Sequence, residues 1–115
     1  MRVERELLRG AGPVTVLRLL QQREMYGYEL VEALSSRTDG VLAMGQSTLY
    51  PLLYGLEAKG LLRGSWRTAP SGRRRKYYAV TAKGAVFLRS HQAQWRRLVG
   101  ALAGLGLLAP LRKEA

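Results

Sequence analysis

Two short stretches of the chain hold most of the side chains that could do chemistry. Gln46-Ser47-Thr48, with Tyr50 and Tyr54, offers an amide, two hydroxyls and two phenols, and Arg73-Arg74-Arg75-Lys76 is a run of consecutive cations. Neither stands beside the groups that catalysis would need. One histidine (His91), one aspartate (Asp39) and no cysteine leave almost no acid–base pair, thiolate nucleophile or metal cluster to assemble. No phosphate-cradling glycine loop occurs, and Gly100, Gly104 and Gly106 fall in an apolar helix end. An enzyme, a metal and a cofactor are therefore not expected. Hydrogen-bonding side chains followed by clustered cations suit a nucleic acid instead. Glutamine pairs bidentately with adenine, hydroxyls and helix N-terminal amides suit phosphates, and arginines bind phosphates or probe a minor groove.

The charge distribution agrees with a polyanionic partner. The net charge is +11, yet residues 1–57 hold 6 basic and 7 acidic side chains, while residues 58–113 hold 13 basic and no acidic ones. Segregation of that kind costs self-repulsion and suits an anionic surface. A generically basic, solvated surface is the plainer alternative. At 115 residues and 47% hydrophobic content the chain fits one globular domain. The charged N-terminus lacks the apolar core of a signal peptide, and the apolar run from Leu98 to Leu111 is shorter than the roughly 20 residues a membrane span needs. A cytoplasmic protein without membrane contact is the expectation.

Positioning those two stretches falls to a helix and a hairpin. Leu49, Leu52, Leu53 and Leu56 recur at i, i+3, i+4 and i+7, an amphipathic helix over 46–59. Ser47 or Thr48 is expected to cap it, with Pro51 in or beside its first turn and Gly60 as its left-handed end. Leu61–Thr68 and Lys76–Val80 read as strands around the turn residues Pro70-Ser71-Gly72, which puts the cations at the hairpin tip. Upstream, residues 1–9 form a charged lead-in able to start a helix, which Gly10-Ala11-Gly12-Pro13 then interrupts. A first helix then runs from Pro13 to about Arg23, Met25-Tyr26-Gly27 turns, and a second helix runs from Tyr28 to about Arg37.

Thr81 is expected to cap a long last helix. Leu88, Trp95 and Leu102 form one heptad line, and Gly84, His91, Leu98 and Leu105 the companion line. So long and narrow a stripe suits a second helix from another copy better than its own domain. Trp95 is then either dimer core or the wall of an effector pocket between subunits. The fold class is mainly α with a small β-hairpin wing: a winged helix-turn-helix over 1–80, a dimerisation helix packed on the same domain over 81–109, and a tail over 110–115.

The chain resembles the PadR family of bacterial transcriptional regulators. The resemblance lies in Leu7-Leu8-Arg9-Gly10, Tyr26-Gly27-Tyr28-Glu29-Leu30, Thr48-Leu49-Tyr50-Pro51-Leu52-Leu53, Lys59-Gly60-Leu61, Arg75-Lys76-Tyr77-Tyr78 and Thr81-Ala82-Lys83-Gly84, in that order. The single C-terminal helix resembles the short class. The chain departs from the family at Gly10-Ala11-Gly12-Pro13, where such proteins run continuously into the first helix. The resemblance implies a homodimeric repressor that binds operator DNA and is released by a small effector.

The candidate DNA contacts are thus Gln46, Ser47, Thr48, Tyr50, Tyr54, Arg73, Arg74, Arg75 and Lys76, with Tyr50 alternatively packed beneath its helix. Lys59, Arg63 and Arg67 are secondary candidates. The candidate dimer contacts are Leu88, His91, Trp95, Leu98, Leu102 and Leu105, with Trp95 also facing a small aromatic effector. The expected function is sequence-specific, homodimeric repression at a pseudo-palindromic operator. A non-specific architectural nucleic-acid binder and a module for an acidic protein partner are the alternatives.

Overall fold

The computed structural model describes residues 4–108. Its elements are α1 (Arg5–Gln22), β1 (Met25–Tyr26), α2 (Gly27–Ser36), α3 (Gln46–Ala58), β2 (Leu62–Thr68), β3 (Arg74–Val80) and α4 (Ala82–Gly104). The predicted tail over 110–115 lies outside the described residues, as does residue 109.

The first helix corrects the expectation. α1 does not begin at Pro13 but runs through it from Arg5. An interior proline costs about 3 kcal/mol, because the carbonyl four residues earlier loses its donor. Burial of Leu8 ahead of the proline returns about 1.5–3 kcal/mol. Gly12 adds a close seat: a Cβ there would stand 3.3 Å from both Met44 Cε and Leu52 Cδ2. Tertiary packing thus outweighs the local breakers.

Met25 and Tyr26 are likewise not a turn. They pair antiparallel with β3, Met25 opposite Tyr78 and Tyr26 opposite Tyr77, in a three-stranded sheet of order β1-β3-β2. Two residues are too few for alternation to register in a sequence. Buried Met25 and the edge-on Tyr26–Tyr77 contact, with centroids 5.4 Å apart, hold the pair. The Tyr26 amide donates to Glu29 Oε1 at 3.2 Å, which closes the first turn of α2.

β2 and β3 form the expected hairpin, in register from Leu62 opposite Val80 to Thr68 opposite Arg74. Gly72 takes φ +90° in the turn, and Gly60 ends α3 at φ +77°. β3 begins at Arg74 rather than Lys76, so most of the cations lie on the ladder and not at its tip.

The leucine face of α3 is buried as its spacing requires. Leu49, Leu53 and Leu56 pack with Val16, Leu17 and Leu20 of α1, Leu30 and Leu34 of α2, Tyr78 of β3 and Leu88 of α4. The start of α4 is fastened to the end of α3. The Thr81 hydroxyl accepts from the Gly84 amide at 3.0 Å and donates to the Gly60 carbonyl at 2.6 Å, while Lys83 Nζ donates to the Lys59 carbonyl at 2.9 Å. The Leu61 carbonyl lies where a Cβ on residue 84 would stand, so only glycine fits.

The heptad seam is not one continuous outward face. Leu88 is 1% exposed within its own chain and has no surface left for a second copy, which removes it from the dimer candidates. Gly84 is buried beside it. His91 is half-buried, stacked on Phe87 at 3.9 Å with Nδ1 3.1 Å from the Phe87 carbonyl oxygen. From Trp95 onward the helix leaves the core: Trp95 is 37% exposed, Leu98 48% and Leu105 77%, with Leu102 half-buried. Heptad spacing alone does not distinguish a partner in the same chain from one in another.

Candidate nucleic-acid interface

α3 begins at Gln46 with Gly45 as its N-cap and without a side-chain cap. Contrary to the expectation from sequence, neither Ser47 nor Thr48 caps the helix. The extended backbone at Gly45 already marks the boundary, so both hydroxyls sit inside the first turn and point to solvent. Pro51 lies in the second turn, not the first, and leaves the Ser47 carbonyl without an intrahelical donor at an exposed site. Gln46, Ser47, Thr48 and Tyr54 are all exposed on α3, with Ser47 and Tyr54, seven residues apart, on one line and Gln46 and Thr48 to either side of it.

Tyr50 is set back from that line. It is half-buried, and its ring lies over Gly27 so closely that a Cβ there would fall 2.5 Å from the phenolic oxygen. The packing alternative thus describes Tyr50 best. Its ring centroid is 6.2 Å from that of Tyr54, and the two flank a cleft of about 240 Å³ between α3 and the wing.

The wing cations divide by strand alternation. Lys76 faces α3 and gives its Nζ to Glu57 Oε1 at 2.8 Å, with Tyr78 and Tyr54 beneath it at 5.3 and 5.7 Å. The Glu57 hydrogen bond raises the Lys76 pKa above that of a free lysine, while burial raises the Tyr78 phenol. Lys76 is therefore a brace between wing and helix rather than a free cation at the tip. Arg75, on the opposite face, lies 4.3 Å over the Tyr26 ring, and Arg67 pairs with Glu24 while lying 4.8 Å over Tyr77. Arg73 and Arg74 are the exposed members of the run, Arg74 being 6.0 Å from the Trp66 ring.

Trp66 was not among the candidates from sequence. It is 60% exposed and opposite Lys76, hence on the wing face that looks toward α3. The signal was available in the strand alternation, but only once the register was known. Of the secondary candidates, Lys59 and Arg63 are exposed and Arg67 is held by Glu24. Among the described residues there is no cluster of potential metal ligands, and no helix is long and apolar enough to cross a membrane.

Three helices followed by an antiparallel hairpin, with the third helix exposing its polar head beside that hairpin, define a winged helix-turn-helix. Residues 16–90 match the PadR-like family of transcriptional regulators, and the chain belongs to that family. A PadR family regulator from Eggerthella lenta is 38% identical, with a TM-score of 0.77 over 87% of this chain and 85% of its own. A Streptococcus transcriptional regulator is 36% identical, with a TM-score of 0.77 over 90% and 99% of the two chains. An uncharacterized protein of Lysinibacillus sphaericus is 30% identical over 93 residues, 81% of this chain and 85% of its own length. The chain is thus a DNA-binding transcriptional regulator and not an enzyme.

Proposed function

We propose that two copies of the chain form a sequence-specific repressor on a pseudo-palindromic operator. The observation that carries this reading is the division of the free surface into two parts. The head of α3, with Arg73 and Arg74, offers base-reading and phosphate-binding groups, and the outer half of α4 offers unpartnered apolar ones. Trp95, Leu98, Leu102 and Leu105, with His91 at the inner edge, meet the second copy. Two recognition helices then enter successive major grooves about 34 Å apart. Gln46 and Tyr54 read bases, while Ser47, Thr48, Arg73 and Arg74 hold phosphates.

Release by a small aromatic effector is part of the same reading. A cleft of about 490 Å³ between α1 and α4 is lined by Val14, Trp95, Val99 and Ala103 with Gln92 and Arg96 at its edge. Its size lies in the range of small-molecule sites, and the indole offers a stacking face.

Genome-wide mapping of the DNA bound by the protein, followed by binding to the strongest fragment, tests the reading. The expected outcome is a clear preference for that fragment over bulk DNA at physiological salt. No preference would favour the architectural alternative, which the segregated charge supports as well. Gln46→Ala separates the two, since a repressor loses discrimination and a general binder loses little.

A further inference from the structure

A groove of about 530 Å³ runs between the first half of α1 and the start of α3. Leu8, Met44 and Leu52 form its apolar floor. Arg5 and Arg9 rim it on α1, and Ser47 and Thr48 rim it on α3. Four residues apart, the two arginines share one helix face, about 6 Å apart along the axis. Both are exposed, and neither makes an ion pair among the described residues. Glu4 and Glu6 neighbour Arg5 in the chain but do not line the groove.

We infer that this groove is a third DNA contact, in which Arg5 and Arg9 bind the sugar–phosphate backbone next to the bases that α3 faces. The inference rests on the reading of the α3 head as the DNA-facing surface. Ser47 and Thr48 belong to both, so a strand lying against the head of α3 passes over the groove. The guanidinium fork matches two phosphate oxygens at once. The apolar floor suits the C–H faces of deoxyribose. Gly12 keeps that floor low, because a side chain there would displace Met44 and Leu52.

The test is equilibrium binding of the full chain to a mixed-sequence DNA duplex, followed by fluorescence anisotropy across a series of salt concentrations. Arg5→Ala/Arg9→Ala is expected to reduce the slope of log K against log salt by about two per bound chain, and to weaken every duplex by a similar factor. Arg5→Lys/Arg9→Lys should keep most of the slope. Arg18→Ala/Arg37→Ala removes the same charge elsewhere: Arg18 lies half a turn round α1 from Arg9 and is bonded to Gln21, and Arg37 is bonded to Gln22. A groove variant with the parental slope, or one no lower than this control, overturns the inference. Arg73→Ala/Arg74→Ala separates the two levels. If the wing pair lowers the slope and the groove pair does not, the groove contact fails and the DNA face stands. If neither lowers it, both fail.

Discussion

Lys76 on the wing gives its ammonium to Glu57 on α3 at 2.8 Å, and this one bond ties the hairpin to the helix whose angle it flanks. The pair is only part-buried, so its worth is at most about 1 kcal/mol. A double-mutant cycle with Glu57→Gln and Lys76→Met is expected to show coupling of that order in urea denaturation. Zero coupling would mean that this ion pair does not hold the wing to α3.

Alkaline pH should loosen the same corner. Lys76, raised by its hydrogen bond to Glu57, and Tyr78, raised by burial, both keep protons in the folded chain that the unfolded chain loses. Stability is then complete below about pH 10 and falls as pH rises through the folded-state pKa values. The urea midpoint is expected to hold between about pH 8 and 9.5 and to drop as pH rises past about 10. Tyr78→Phe should flatten part of the fall, and an identical drop in that variant would exclude Tyr78 as a source.

Gly27→Ala places a methyl group inside the Tyr50 ring. Overpacking of this kind costs about 1–3 kcal/mol. Thermal melting of Gly27→Ala should show that loss, and Tyr50→Leu in the same chain should recover part of it. No recovery would place the strain in the α2 backbone instead.

Leu88 and Leu98 sit ten residues apart on α4 and should behave in opposite ways. Leu88→Ala empties a fully buried site and is expected to cost about 2–5 kcal/mol of folding stability. Leu98→Glu, at an exposed site, should leave the fold intact while sedimentation shifts from dimer to monomer. An unchanged sedimentation profile for both Leu98→Glu and Trp95→Glu would remove the outer half of α4 as the dimer surface.

Patterns that repeat were legible in the sequence. The leucine spacing of α3, the Thr81 cap and the Pro70–Gly72 turn each follow from a local rule, and the structure places them accordingly. What escaped depends on neighbours distant in the chain. The continuity of α1 through Pro13 is held by burial of Leu8 and by the seat of Gly12 against Met44 and Leu52, partners that lie outside α1's own sequence. The β1 strand exists because Tyr26 meets Tyr77. At the candidate site, strand alternation already implies that only about half of the four cations face DNA together, but which ones are free depends on Glu57 and Tyr26, which engage two of them and leave Arg73 and Arg74 outermost.

The fastening of Thr81, Lys83 and Gly84 to the end of α3 has a mechanical consequence. From Leu88, where α4 is gripped, to Gly104 is about 24 Å of stiff rod. A tilt of about 10° at the grip swings the far end by roughly 4 Å over that length. The grip is at the C-terminal end of α3, opposite the exposed head that Gln46 begins, so the free half of α4 and that head extend from one fastened corner.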